Sequence, residues 1–390
     1  MSRSDAADGV ALAWRVALGW MMALLGLGVW QGLGGPLPWL LGAMLAVAVA
    51  RAWGMPLAEW SWGRALGQLF IGVGLGLNFT PTVVAELANR WPLVLGVALL
   101  ALWPGALGAW AYQRWAGLSR PAAWLCALPG GASEMAVLAK HHGVSPSVVA
   151  LTQGLRVALV VSLVPALLLW WGDMPWRATG PSWVWQLWSA GLWAHGWTEP
   201  SAAQTFTMAL TMAPLAGLLS AGACLAWWGQ GRGWPNVWLM APLCLTALLS
   251  AWSEVSAASH AHMPALCMNL AQALLGIALG SKLDAQAWRQ APRLSLVAAA
   301  VVLSGVLGSA ALALGLAWAC GGLALTHYLA LAPGGMAEMA LLARQMQAHL
   351  PEVIAAHVAR LALVLSLAPW WLSRVTTRVR SRGLPPSGGG

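Results

Sequence analysis

Shifted by 204 positions, residues 67–166 of this 390-residue chain fall on residues 271–370 without a gap. Pro129-Gly130-Gly131-Ala132-Ser133-Glu134-Met135 falls on Pro333-Gly334-Gly335-Met336-Ala337-Glu338-Met339, and beyond it Arg156 falls on Arg360, Ser162 on Ser366 and Pro165 on Pro369. Upstream, Gln68 falls on Gln272 and Gly72 on Gly276, and a slightly smaller shift brings Trp39-Leu40 onto Trp238-Leu239. Self-similarity on this scale means that one structural unit is used twice. The copies run over about 10–172 and 206–373, with a Trp-rich outer connector at 173–205 and a basic tail at 374–390, expected to be disordered and cytoplasmic.

Composition decides what kind of unit this is. Only 8% of residues are Asp, Glu, Lys or Arg and 59% are hydrophobic, whereas a soluble domain carries about 25% charged residues. A water-facing surface of normal make-up cannot be built, which excludes a soluble enzyme, a secreted disulfide scaffold and an ordinary nucleic-acid-binding domain. The 29 Trp stand beside two Tyr and three Phe, and Trp is favoured at membrane–water interfaces. The net charge of +9 comes from basic residues in short loops between apolar runs, the placement that orients membrane helices. The five Cys lie in or beside apolar segments without a CxxC pair and read as small packing residues. The first apolar run, 12–33, exceeds a signal-peptide core and precedes no A-x-A-like cleavage site, so it reads as a retained span.

A spanning helix needs about 20 mostly apolar residues. Candidates are 12–33, 36–52, 64–80, 91–113 and 146–171 in the first copy, and 206–229, 235–253, 265–283, 293–317 and 351–373 in the second. The elements 120–142 and 321–344 differ, because Pro-Gly-Gly splits each at its centre. Proline removes a backbone donor and glycine frees the chain, leaving two half-helices of about ten residues, about 15 Å long each.

Loop charges then set orientation. Arg51 and Arg64 in the first copy face Glu254 without Lys or Arg in the second; Arg114 and Arg120 face an uncharged loop. Conversely, Glu86 and Arg90 face Lys282, Arg289 and Arg293, and the second copy ends on Arg374, Arg378, Arg380 and Arg382. Opposite bias means opposite orientation, which needs an odd number of crossings per copy. The expected fold is an all-α polytopic membrane protein: an inverted-topology tandem repeat of five spans plus one re-entrant hairpin per copy, about ten spans in all. Both termini are then cytoplasmic, in a bacterial inner membrane.

Inverted repeats with broken helices place a substrate near the midplane at the repeat interface, and non-helical backbone at that depth is tolerated where it lines a cavity or is buried in protein. The freed N–H groups beyond Pro129-Gly130-Gly131 and Pro333-Gly334-Gly335 suit an anion or a carboxylate. Glu134 and Glu338 lie five residues past the prolines, and Arg156 and Arg360 lie about ten residues into the last span of each copy. A charge at such depth costs at least about 2.5–3.5 kcal/mol, so these groups need partners or water. They read either as two buried Glu–Arg pairs locking hairpin to span, or as carboxylates for a proton or cation beside arginines for a substrate anion. Ser133, Thr152, Gln153, His357, Gln68, Gln272 and Asn78 are the polar residues expected in the same layer, with His357 replacing Gln153 in the second copy. Lys140, His141 and His142 read as a solvated inner mouth. His260-Ala-His262 beside Glu254 lacks metal-ligand spacing, and no Walker, GxGxxG or Ser-His-Asp pattern occurs in context. Neither a metal, a cofactor nor a catalytic set is expected.

The duplicated Pro-Gly-Gly-x-x-Glu-Met motif with its downstream Arg resembles the AbrB-type duplicated bacterial membrane proteins over about 12–373. These are distinct from the small DNA-binding regulators sharing the name, and are often labelled ammonia monooxygenases or membrane regulators of gene expression. The eight His are dispersed, whereas oxygen-activating metal sites cluster their ligands. The expectation is a secondary transporter, of elevator type, for a small anionic or zwitterionic metabolite, with ion coupling at the paired Glu and Arg. A membrane sensor acting indirectly on gene expression is the alternative, and a membrane-bound monooxygenase ranks below it. Expected partners are the small-molecule or ion substrate, the lipid bilayer and, by analogy with other inverted-repeat transporters, a second copy of the chain, with no direct contact to nucleic acid.

Overall fold

The computed structural model describes residues 3–58, 60–128, 135, 138–140, 142–170, 202–252, 263–282 and 289–382. Helices and their connecting turns make up these residues, and no strand occurs among them. In the first copy they are α1 (Arg3–Gly32), α2 (Ala43–Ala52, entered through a π-helical turn, Pro38–Gly42), α3 (Gly63–Gly76), α4 (Pro81–Asn89), α5 (Trp91–Leu100), α6 (Trp103–Trp115), α7 (Arg120–Ala127) and α8 (Pro146–Trp170). In the second they are α9 (Ala202–Gln230), α10 (Val237–Trp252), α11 (Ala265–Gly280), α12 (Pro292–Cys320), α13 (Ala324–Leu331), α14 (Met336–Gln345) and α15 (Leu350–Arg382).

A helix forms in every segment expected to span. Among the described residues, four are long and apolar enough to cross a membrane alone: Leu12–Gly32, Trp91–Trp115, Pro146–Leu168 and Pro292–Cys320. Many large apolar side chains point outward, Trp252 and Trp318 at 91% exposure among them, which suits a lipid-facing surface and no aqueous one.

Three details depart from the sequence expectation. The segment 64–80 ends early, at Gly76, and the chain bends by 82° into α4, where a loop was expected. Asn78 Nδ2 donates to the carbonyls of Gly74 and Leu75, closing α3, and Pro81 opens the next helix, since its fixed φ and missing N–H suit a first turn. The segment 91–113 is two helices separated at Ala101-Leu102, with Pro104 in the first turn of α6. The basic tail, expected to be disordered, is helical through Arg382; no Gly or Pro interrupts 370–382. The connector 173–205 (bar its last residues, 202–205, which begin α9) and residues 383–390 lie outside the described residues.

The chain forms two compact units, and each takes equivalent helices from both copies. The first comprises Met1–Asn89, Pro165–Leu283 and Arg344–Gln347. Its helices approach through glycines. A Cβ on Gly67 would meet the Ala271 carbonyl and Leu274, one on Gly63 would meet Leu274, and one on Gly74 would meet Met268 and Met263. Residue numbers rise along α3 as they fall along α11, so these counterparts run antiparallel. α3 also lies along α10 (Gly72 at Leu239 and Pro242, Gly76 at Thr246), just as α11 lies along α2 (Gly276 at Leu40 and Ala43, Gly280 at Met44 and Val47). Leu37 and Asn236, equivalent under the smaller shift, both take left-handed backbone, with φ 47° and 46°. Asparagine tolerates this; leucine carries about 1–2 kcal/mol of strain, held by a bond from its N–H to Gln345 Oε1 at 2.8 Å.

The second unit comprises Arg90–Val164, Asp284–Ala343 and Ala348–Gly390. Here α5–α6 and their counterpart α12 also run antiparallel: Gly308 meets Trp103, Gly305 meets Pro104, Gly108 meets Val301, and Arg293 Nε donates to the Trp115 carbonyl at 2.6 Å. This unit contains both Pro-Gly-Gly breaks.

Candidate substrate and ion site

The break decides which backbone groups need partners. In a helix the Leu125 carbonyl would accept from the N–H of residue 129, but residue 129 is proline and has none. Leu128 turns out of the helix with extended backbone, φ −63° and ψ 133°, and Ala332 does the same at −54° and 139°. Each break therefore leaves carbonyls buried and open, and buried carbonyls require donors.

The last span of each copy supplies them at matching positions. Arg156 Nη1 donates to the Leu128 carbonyl at 2.9 Å, and Arg360 Nη1 to the Ala332 carbonyl at 2.8 Å, the residue 204 positions on. Arg360 Nη2 adds the Gly334 carbonyl at 2.8 Å, at the tip of the break. Gln153, one turn before Arg156, donates through Nε2 to the carbonyls of Leu125 at 2.9 Å and Leu128 at 3.1 Å. Both arginines are buried, at 9% and 4% exposure, and bonds from a charged donor are worth about 1.5–3 kcal/mol each. Ser309 Oγ, on α12, donates to the Leu331 carbonyl at 3.2 Å.

Glu338 is buried in the first turn of α14, where a carboxylate favours the helix N-terminus. It folds back over the tip, so that a Cβ on Gly335 would collide with its carboxylate. The charge of Glu338 acts on Arg156, a residue of the other copy, and Arg156 in turn acts on Arg360. Among the described residues one charge cluster thus draws on both copies, while the expected pairing of Arg156 with Glu134 involves a residue outside them. Pro129, Gly130, Gly131, Ser133 and Glu134 lie outside the described residues.

Among the described residues, two acceptors beside the arginines have no hydrogen-bond partner. Gln153 is fully buried, and with Nε2 committed to carbonyls its Oε1 is left open. His357 occupies the equivalent position at 2% exposure; its Nδ1 lies 3.0 Å from the Val353 carbonyl, and its Nε2 is open. A carbonyl only accepts, so Nδ1 carries the proton and Nε2 presents a lone pair in the neutral ring. Unsatisfied buried acceptors are costly and call for explanation.

The other expected polar residues divide. Thr152 donates to carbonyls of its own helix, Val148 and Val149. Gln68, Gln272 and Asn78 belong to the other compact unit, where Gln68 Nε2 donates to Asn236 Oδ1 at 2.9 Å. His141, His260, His262 and Glu254 lie outside the described residues, and no group of His, Cys, Asp or Glu suited to a metal occurs among the described ones. Sequence reasoning passed over Ser309, Thr326, His327, His349 and Glu352. The available signal was Glu352, a carboxylate at the start of an apolar span where the first copy has Val148.

The fold and this site define a duplicated, all-helical protein with apolar, membrane-compatible helices and a buried charge cluster at paired helix breaks. The chain belongs to the AbrB family, whose description is transition state regulatory protein AbrB and whose match covers residues 39–376. It is 27% identical over 380 residues to the uncharacterized protein YhjN of Bacillus subtilis (strain 168), covering 91% of this chain and 86% of that one. A shorter stretch of 126 residues is 32% identical to the protein named "Putative regulator AbrB" of Escherichia coli (strain K12), covering 32% of this chain and 36% of that protein. No solved structure matches the chain significantly.

Proposed function

We propose that the protein is an inner-membrane secondary transporter of a small anionic or zwitterionic metabolite and not an enzyme. The observation that carries this is the matched pair Arg156 and Arg360, buried on helix-break carbonyls, beside the open acceptors Gln153 Oε1 and His357 Nε2. Two guanidinium groups attract an anion, and the acceptors suit an N–H or O–H on the same molecule. Glu338, with Glu134 in the first copy, is the carboxylate that a coupling cation would neutralise. The antiparallel packing of α3 on α11 and of α6 on α12 supports the inverted ten-span topology with both termini cytoplasmic. The gathering in one unit of all the buried charge among the described residues supports an elevator-type division of labour, with that unit carrying the substrate. The working partners are the substrate and the bilayer, with a second copy of the chain as the assembly and no direct contact to nucleic acid.

The test is uptake of radiolabelled carboxylates, amino acids and hydroxy acids into proteoliposomes. Uptake by wild type that is lost in Arg360→Ala, with equal protein incorporated, is the expected result. A sensor that binds without transport is the second reading, favoured by the regulator name of the Escherichia coli relative. Saturable binding with no flux under any ion gradient would favour it.

A further inference from the structure

A second cluster of ionisable groups lies on the same hairpin, toward its mouth. The mouth is Gly321-Gly322, with φ 74° and 89°, and His327 follows in the first turn of α13. Six residues separate His327 from Pro333 at the tip, roughly 9 Å of helix. His327 Nε2 lies 2.9 Å from the Gly321 carbonyl. Its Nδ1 lies 3.3 Å from Glu352 Oε1, in the first turn of α15, and His349 Nδ1 lies 3.6 Å from Glu352 Oε2. His327 and Glu352 are 2% and 3% exposed. The His349 backbone N–H donates to Thr326 Oγ1 at 3.0 Å, tying the same two segments together.

Proton positions follow from the partners. The Gly321 carbonyl can only accept, so Nε2 of His327 carries a hydrogen. In a neutral ring Nδ1 would then turn a lone pair toward a buried carboxylate, an unfavourable contact. A proton between Nδ1 and Oε1 removes the conflict, giving an imidazolium–carboxylate pair. None of this exists in the first copy, where Ala122, Ala123, Ser145 and Val148 occupy the matching positions.

We propose that His327, Glu352 and His349 form a proton-binding site that fastens the mouth of the second hairpin to the start of the last span. The site is separate from the arginine cluster and does not depend on the transport reading. Around His327, α15 and the turn before it present Glu352 and His349, and α5 presents Arg90 at its N-cap. Contact with Glu352 raises the His327 pKa above its ordinary value; burial and Arg90 oppose the rise, and the Gly321 carbonyl adds to it. The stability gained is therefore fully present below the ordinary imidazole value and is lost as pH climbs through the raised one. The released proton passes to water, and the hairpin mouth loosens from the span.

The test is nitrogen NMR of histidine-labelled full-length protein in lipid nanodiscs, with His327 assigned by its disappearance in His327→Gln. At about pH 8 a free imidazole, of pKa about 6.5, is neutral. The expected spectrum shows both His327 nitrogens protonated in wild type, and a single protonated nitrogen in Glu352→Gln. A neutral His327 in wild type overturns the proposal, and so does a charged one that persists in Glu352→Gln. The wild-type spectrum decides the matter even if the variant fails to fold.

Discussion

The two compact units solve the burial problem in opposite ways. In the unit built on α1–α4 and α9–α11, helices come together by leaving side chains out: Gly26 against Gly42, Gly67 against Ala271, and Gly276 against Leu40 all bring a Cα onto a neighbouring carbonyl. Its buried polar residues are neutral, Thr246, Ser250 and Gln272. In the other unit lie all the buried charged side chains among the described residues: Arg156, Glu338, Glu352 and Arg360. Between apolar helices, close contact of small residues is a route to association, and it needs no chemistry. Buried charge is expensive and persists where it has work to do. Under the proposed function, packing falls to one unit and binding to the other.

Substitutions at four kinds of position test that contrast. The largest effect belongs to the packing unit. Gly276→Leu, whose Cβ would strike the Leu40 carbonyl and the Ala43 side chain, should cost about 3 kcal/mol or more and abolish a monodisperse size-exclusion peak. Gly315→Leu, where nothing lies within 4 Å of the added Cβ, should leave that peak unchanged. Next comes Arg360→Ala, which strips donors from the Ala332 and Gly334 carbonyls. A loss of about 2–3 kcal/mol in thermal stability is expected, together with loss of ligand response; Arg360→Lys keeps the charge without the fork of two donors and should restore only part of each.

A smaller change should follow from altering the open acceptor of the second copy. His357→Gln repositions that acceptor beside an intact arginine. Ligand affinity should fall about tenfold, equivalent to roughly 1.4 kcal/mol, read by calorimetry, while melting temperature stays near wild type. If melting temperature falls and affinity holds, the acceptor belongs to packing. The smallest effect is Ser309→Ala, which removes one donor from the Leu331 carbonyl and should cost about 1 kcal/mol in stability with ligand response retained.

Much of this was legible before any coordinates. Helix positions followed from apolar run length, and the breaks from Pro-Gly-Gly, because both are local properties of the backbone. Arg156, Arg360 and Gln153 could be picked out because a charge or amide deep in an apolar run is conspicuous. Their partners could not be read. That Arg156 donates to Leu128, or that Glu338 acts on the arginine of the opposite copy, depends on how the helices pack. The bend at Asn78 and the split at Ala101-Leu102 were missed for a different reason: an apolar run looks the same whether or not a capping side chain interrupts it. His327 and His349 were missed because each is ordinary alone and acquires meaning only through Glu352.

The central claim is that the two arginines and their neighbouring acceptors form one binding site for a small anion bearing an N–H or O–H. Thermal unfolding of the detergent-purified protein against a panel of simple carboxylates, amino acids and hydroxy acids tests it directly, with Arg156→Ala and Arg360→Ala measured alongside. A ligand that binds only the folded state raises stability by RT ln(1 + [L]/Kd). The account predicts a shift for at least one compound carrying both groups, absent in both variants while they remain folded. A shift that survives in both variants would contradict it, as would no shift from any compound in wild type.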